Sequence, residues 1–308
     1  MRRPGATEAV LDRFSPEALF VISGISQYTG AVIAVSMFDE AGPATIAWFR
    51  VIGAAVVLLA LSGKHLRGGW TRADLGAVAT FGIATALMNM FFYLAIDRVD
   101  LGKSVVMEFI GPIAVAAAFT RTKRNTVALL LAVAGVLVLS GVEIDTEPLG
   151  LLFIMLASVM WATYIVIGRR VAATKRGLAG LAVGLAIGVI AIAPFGAPGS
   201  GHVWATPSLL VTALVVGVFS NAIGYGIDQH VLRRIPVRRF ALLLALLPVT
   251  AMIVGYLALE QRPSILDLAG ALLVIAGVVV QERDELEVSR HRDVVHPSVV
   301  AELDVPPA

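Results

Sequence analysis

Two ionisable side chains, Arg50 and Glu108, lie near the middle of long apolar stretches of the chain. An arginine at the centre of a membrane helix costs roughly 2.5–3.5 kcal/mol, so such residues usually have a function. Glu108 is the only carboxylate near the centre of such a stretch, and its depth is similar to that of Arg50. We therefore predict that the two side chains form a pair or share a binding site. The alternative is a buried ion pair with a purely structural role.

Polar and aromatic side chains recur near the middle of other apolar stretches. Asn89 and Tyr93 are one helical turn apart, so they share a face of their helix. Any one such residue is more often a helix–helix hydrogen bond than a ligand contact, but together they predict a cavity with a polar lining. The others are Gln27, Trp161, Tyr164, Asn221 and Tyr225. Asp228 lies near the end of its stretch, where we predict that it reaches the membrane surface at little cost.

The apolar stretches predict the fold class. Of the 308 residues, 58% are hydrophobic and only 15% are charged, whereas soluble domains carry about 25% charged residues. A helix that crosses the hydrocarbon core needs roughly 20 mostly apolar residues, and these stretches are too long and too continuously apolar for barrel strands. We predict an all-α membrane protein with ten transmembrane helices, at residues 18–38, 42–62, 75–96, 101–120, 125–142, 148–168, 178–197, 207–229, 237–258 and 264–281.

The charged residues predict the orientation of these helices. If residues 1–17 are a cytoplasmic N-terminus, 20 of the 24 Lys and Arg residues fall in that segment, the cytoplasmic loops and the C-terminal tail. The opposite loops are acidic instead. Because basic residues favour the cytoplasmic side, we predict that both termini lie there. The charged tail at residues 283–308 contains three prolines and is predicted to be disordered.

The two halves of the chain, residues 18–142 and 148–282, resemble each other. AIDRV…IGPIAV aligns with VLRRI…LLPVTA at an offset of 136 residues, which pairs Pro112 with Pro248, and LAVAGVLV aligns with LVIAGVVV at an offset of 142. Chance similarity between Ala-, Val- and Leu-rich helices is the alternative. Halves of five helices each would be inverted in the membrane, a plan that recurs in transporters with a midplane site. Each proline kinks its helix, which predicts either a hinge or a static kink.

Several function classes lack their signatures in this chain. There is no cysteine and no G-x4-G-K-[ST] loop, which argues against a thiolate metal site and a nucleotide-driven pump. G-x-S-x-G and H-E-x-x-H are also absent, and all five histidines lie in loops, span ends or the tail. We predict no enzyme activity, cofactor, metal or nucleic-acid partner. The stripe Gly180, Gly184 and Gly188 favours close helix packing inside the bundle rather than dimerisation.

Four stretches of the chain carry a family resemblance: GPATIAWFR (42–50), MNMFFYLAIDRVDLGKSVVMEFIGPIAVA (88–116), WATYIVIGRR (161–170) and PVRRFALLLALLPVTAMIVGYLALEQ (236–261). Through them the chain resembles the EamA-type drug/metabolite transporter superfamily, and more closely its bacterial threonine/homoserine exporter group. The resemblance implies ten spans in two EamA repeats, and export of small amino acids. The matching residues are Arg50, Asn89, Tyr93, Glu108, Gly111, Pro112, Trp161, Tyr164, Tyr225 and Pro248. The family commonly has a glutamate before the second proline, where this chain has Leu247, which argues against a second cation or proton site there.

The preferred interpretation is a secondary exporter of threonine, homoserine or a similar amino acid in a bacterial cytoplasmic membrane, acting as a monomer or homodimer. A free amino acid is a zwitterion, so Arg50 would bind its carboxylate and Glu108 would accept from its ammonium. Proton uptake by Glu108, which would couple export to the proton gradient, ranks below this role. Two alternatives remain open. One is transport of another solute, such as a drug or vitamin, and the other is a membrane scaffold or lipid-handling protein.

Overall fold

The computed structural model describes residues 10–66, 70–99, 104, 107–119, 122–140, 147–173, 177–259, 264–266, 268–277 and 279–280. Within these residues the chain forms helices and no β-strand, and a helix occupies each of the ten predicted spans. The predicted all-α class is therefore confirmed. The predicted disordered tail, residues 283–308, lies outside the described residues.

The helices are numbered in chain order. They are α1 (Pro16–Val35), α2 (Phe38–Ala41), α3 (Pro43–Ser62), α4 (Arg72–Ile96), α5 (Ile110–Ala118), α6 (Lys123–Ser140), α7 (Pro148–Ala173), α8 (Gly177–Gly196), α9 (Gly201–Ala205), α10 (Pro207–Gly217), α11 (Gly224–Arg234), α12 (Val237–Leu243), α13 (Leu246–Leu259) and α14 (Leu268–Gly277). A π-helical turn, Val218–Ile223, joins α10 to α11 without a loop.

The ends of several helices carry recognisable start signals. Thr71 caps α4 through a capping box, in which its side chain accepts from the Asp74 backbone N–H and its own N–H donates to the Asp74 carboxylate. Ser15 caps α1 by accepting from the backbone of Ala18. Prolines stand in the first turn of α1, α3 and α10, where a missing N–H costs nothing. These local signals place the helix starts near the polar edges of the apolar stretches.

Six helices among the described residues are long and apolar enough to cross a membrane: α1, α3, α4, α7, α8 and the continuous α10–α11. They coincide with predicted spans one, two, three, six, seven and eight. The other four predicted spans contain α5, α6, the pair α12–α13, and α14. The chain is therefore an all-helical protein with several spans, while the full number of ten stays a prediction.

Glycines allow the central helices to approach each other closely. α4 packs along α7 and α8, and α3 packs against α8 and α10. A Cβ added to Gly82 of α4 would overlap the backbone carbonyl of Gly184 in α8, and one added to Gly188 would lie 2.7 Å from the Gly82 carbonyl oxygen. The predicted role of the α8 glycine stripe in packing inside the bundle is confirmed.

Pro112 and Pro248, which the predicted repeat makes equivalent, each follow a break in a helix. The helix turns at Phe109 just before α5 begins, and Pro112 is the third residue of α5. Residues 244–245 separate α12 from α13, and Pro248 is the third residue of α13. The proline ring clashes with the carbonyl four residues earlier, which belongs to Glu108 or Leu244, and each break lies at or directly after that residue. Both prolines are buried, so neither faces lipid.

The first turn of α1 and the segment before it contact α11 and the start of α12. Glu17 forms a 2.7 Å salt bridge with Arg239, and the imidazole of His230 lies 3.2 Å from the Asp12 carboxylate. Arg234 donates to the backbone carbonyl of Phe14. These polar contacts tie the start of the chain to the same end of the bundle at which span eight ends and span nine begins.

Candidate functional site

A cavity of about 70 Å³ lies in the interior of the helical bundle, between α1, α3, α4, α7, α11 and the two helix breaks. Its walls combine polar and apolar side chains from five predicted spans and from the two spans that are broken before their prolines. The lining residues are Gln27, Tyr28, Ala31, Arg50, Met88, Asn89, Phe92, Glu108, Trp161, Tyr225, Asp228, Leu244 and Leu247. The polar-lined cavity predicted from the sequence is present.

Arg50 projects into this cavity from the middle of α3 and is only 5% exposed. Its Nε donates a 2.6 Å hydrogen bond to Oδ1 of Asn221, and its guanidinium carbon lies 5.1 Å from the centroid of the Tyr93 ring. A cation over an aromatic face is stabilised by the ring quadrupole. The bond to Asn221 uses Nε, and the two terminal nitrogens form the fork that suits a carboxylate.

The hydrogen-bond partner of Arg50 lies in the π-helical turn. A π turn shifts the helix register and often marks a functional site. Two contacts from α1 hold this turn in place: Ser26 donates to the carbonyl of Phe219 over 2.6 Å, and Ser220 donates to the carbonyl of Gln27 over 3.3 Å. The turn thereby presents Asn221 to Arg50, a contact that apolar periodicity could not predict.

Glu108 lines the same cavity from the break before α5 and is 7% exposed. It makes no side-chain hydrogen bond to the residues that the structure describes. No nitrogen of Arg50 lies within 4.0 Å of its carboxylate. The direct pair that was one predicted arrangement is therefore not formed, and both groups instead face one cavity.

Asn89 and Tyr225 contact each other across the cavity wall. The Asn89 Nδ2 donates to the Tyr225 hydroxyl over 3.0 Å and to the Thr85 carbonyl over 2.7 Å. The two residues are 136 positions apart, which is the offset predicted for the internal repeat. The predicted repeat would make them equivalent positions of the two halves.

Asp228 also lines the cavity, and the prediction that it reaches the membrane surface is wrong. It is 3% exposed, and its two carboxylate oxygens accept hydrogen bonds of 3.1 Å from the hydroxyls of Ser23 and Tyr164. The prediction failed because the distance of a residue from the end of its span does not determine whether its side chain points to the membrane surface or into the bundle. The spacing of Asn221, Tyr225 and Asp228, at i, i+4 and i+7, was the available signal for a shared helix face.

The remaining aromatic candidates divide into lining and supporting positions. Trp161 lines the cavity and packs edge-on against Phe109, with ring centroids 4.9 Å apart. Tyr93 and Tyr164 are fully buried and do not line the cavity. Tyr93 lies beneath the guanidinium of Arg50, and Tyr164 holds the Asp228 carboxylate. Their contacts therefore position charged groups.

Comparison with known proteins accounts for nearly the whole chain. Residues 148–281 match the EamA-like transporter family. The chain is 30% identical over 277 residues to the threonine/homoserine exporter RhtA of Salmonella typhimurium (strain SL1344), covering 89% of this chain and 93% of the exporter. This chain belongs to the EamA-like transporter family. The threonine/homoserine exporter RhtA of Escherichia coli (strain K12) is 29% identical over 265 residues, covering 85% of this chain and 89% of that protein.

A solved crystal structure supports the fold of this EamA-like protein. It superposes with a TM-score of 0.66 over 86% of this chain and 96% of that chain, at 19% sequence identity. Membership of the family, together with the six long apolar helices, makes this chain a multi-pass membrane protein. Among the described residues, no group of three His, Cys, Asp or Glu side chains could hold a metal ion.

Proposed function

We propose that this protein is a secondary exporter that moves threonine, homoserine or a similar small amino acid outward across the cytoplasmic membrane of a bacterium. Two relatives that align over most of the chain are named threonine/homoserine exporters. The observation that carries the proposal is the cavity. It holds a buried arginine and buried carboxylates that are not paired with each other.

The charges of the cavity complement a zwitterion. The Arg50 fork binds the carboxylate of the amino acid, because a planar guanidinium matches a carboxylate in two parallel hydrogen bonds. Glu108 accepts from the ammonium. In the absence of substrate each of these charges would need water or another partner, since an isolated buried charge is costly. A small zwitterion meets both requirements at once.

The size of the cavity favours a small solute over a drug. Sites for drug-sized molecules enclose roughly 300–1,000 Å³, whereas this cavity encloses about 70 Å³. Export of a drug or a vitamin would require a much wider opening of the bundle. A scaffold or lipid-handling role leaves Arg50, Glu108 and Asp228 without a reason to face a shared space, since intramembrane charges mark solute pathways.

The two EamA repeats, residues 18–142 and 148–282, are proposed to be inverted copies. Equivalent contacts support this. Gly82 in predicted span three packs on α8, which is span seven. Gly217 follows Gly82 by almost the repeat offset, lies in span eight, and packs on α3, which is span two. Gly111 of α5 packs on α7, and Gly24 of α1 packs on α13. The breaks before Pro112 and Pro248 are a third equivalent pair, and we propose that each break is a hinge of its half.

We expect ten spans with both termini in the cytoplasm, because 20 of the 24 basic residues then face inward. A reporter that is active only in the cytoplasm, fused after residue 281, is expected to be active. A fusion after residue 145, in a predicted outer loop, is the matched control and is expected to be inactive. Activity on the opposite side at residue 281 would rule out both the topology and the inverted repeat.

Amino-acid efflux from vesicles tests the proposed function. Vesicles that contain the purified protein are loaded with labelled threonine, homoserine, a vitamin or a cationic dye, and release is compared with protein-free vesicles. We expect faster release of threonine and homoserine only. Release of the dye or vitamin without the amino acids would favour the alternative substrate class. No release of any solute would favour a role other than transport.

A further inference from the structure

Asp228 is the charged residue among those lining the cavity to which the proposed zwitterion binding assigns no role. With the amino-acid carboxylate on Arg50 and the ammonium on Glu108, this buried carboxylate still faces the same space. No basic side chain among the described residues lies within 4.0 Å of it. Its hydrogen-bond donors are the neutral hydroxyls of Ser23 and Tyr164.

These two hydroxyls orient the Asp228 carboxylate but do not use all of its hydrogen-bond acceptor sites. Tyr164 bonds to Oδ2 over 3.1 Å, and the single hydroxyl proton of Ser23 is shared between Oδ1 at 3.1 Å and the Gly224 carbonyl oxygen at 3.2 Å. A carboxylate offers about four lone-pair sites, so acceptor capacity remains on the cavity side. The Tyr164 ring is itself held between Phe81 and Tyr225, with centroid distances of 5.2 and 5.4 Å. The carboxylate is therefore an oriented acceptor.

Gln27 places a donor on the same part of the wall. Its Nε2 donates to Ser23 over 2.9 Å, and the side chain lines the cavity. An amide nitrogen carries two hydrogens, so one remains for a ligand. Ala31, Leu244 and Leu247 add apolar surface to the same cavity. Gln27 and Asp228 are thus a donor and an acceptor that both contact the hydroxyl of Ser23.

We propose that Asp228 and Gln27 form the subsite for the side-chain hydroxyl of the substrate, and that Asp228 is a specificity-determining residue for hydroxy amino acids. A hydroxyl both donates and accepts, so it satisfies the Asp228 carboxylate and the Gln27 N–H together. An ammonium has no acceptor and leaves the Gln27 N–H unpaired, and a methyl group leaves both unpaired. The subsite thereby selects threonine over valine, its isostere. This inference rests on the proposed function.

Competition against labelled threonine tests the subsite. The wild-type protein in vesicles exchanges labelled threonine in the presence of unlabelled threonine or valine, and the ratio of their inhibition constants is measured. A site that hydrogen-bonds a hydroxyl rejects analogues that lack it, so we expect a preference for threonine of roughly a hundredfold or more. Asp228→Asn and Gln27→Met are each expected to lower that ratio by about tenfold, with valine inhibition changed little.

Asp97→Asn is the matched control, because Asp97 is a partly exposed carboxylate at the end of α4, paired with Arg98. It should keep the wild-type ratio. An unchanged ratio in the two cavity variants, or equal weakening of threonine and valine, would overturn the hydroxyl subsite. If Asp228→Asn is not recovered as folded protein, Gln27→Met decides alone. Wild-type protein that exchanges threonine and valine equally also refutes the subsite, whereas wild-type protein that exchanges neither refutes the proposed function itself.

Discussion

Replacing Arg50 by lysine, or Glu108 by glutamine, is expected to lower threonine efflux by roughly ten- to a hundredfold, because one hydrogen bond to a charged group contributes about 1.5–3 kcal/mol. Lysine keeps the charge but loses the planar fork and the Nε bond to Asn221. Glutamine keeps the shape of Glu108 and removes its charge. The measurement is the initial efflux rate from vesicles, normalised to the amount of inserted protein.

Two surface substitutions of the same chemical type are the controls. Arg98→Lys changes a partly exposed arginine that pairs with Asp97, and Glu147→Gln changes an exposed carboxylate 3.9 Å from Arg98. Neither residue lines the cavity, so both variants should export at the wild-type rate. Wild-type export by Glu108→Gln across a range of pH would eliminate both the ammonium-binding and the proton-carrying role of Glu108.

The second large effect is expected at the crossing of α4 and α8. In Gly82→Ala, the new Cβ would overlap the carbonyl of Gly184, which is backbone and cannot rotate away. Overpacking of this kind costs about 1–3 kcal/mol, and more where backbones must separate. We expect a lower midpoint of thermal unfolding and a lower yield of monodisperse protein in detergent.

Gly76→Ala, in the same helix, is the matched control. A Cβ at Gly76 meets no atom within 4 Å, and alanine is the better helix former by up to about 1 kcal/mol. This variant should be neutral or slightly more stable. Equal thermal midpoints for the two variants would mean that α4 and α8 do not cross at Gly82.

Similarity over most of the chain establishes the family of this protein, whereas substrate specificity depends on a few side chains in the cavity. Substrate chemistry is determined by sites placed on a fold rather than by the fold. Arg50 and Glu108 would serve any amino acid, since every amino acid carries the same carboxylate and ammonium. In the proposed binding mode, discrimination between amino acids falls to Gln27 and Asp228, which would contact the substrate side chain.

The positions of the helices and of the two charged candidates could be predicted from the sequence. The hydropathy of a segment depends only on its own residues, so each of the ten long apolar stretches predicted a helix without knowledge of the rest of the fold. A proline removes one hydrogen bond wherever it stands, so Pro112 and Pro248 predicted the breaks. The cost of burying a charge in lipid likewise marked Arg50 and Glu108.

The direction of each side chain was decided only by the tertiary structure. A membrane helix is apolar on its lipid face and largely apolar on its packed face, so periodicity does not say which side faces the cavity. The rotation of α11 follows from the π turn and from its contacts with α1 and α7. That rotation turns Asp228 inward and brings Asn221 to Arg50. Tyr93 and Tyr164 lie behind the cavity for the same reason: neighbouring helices, rather than the sequence around each residue, determine which face is enclosed.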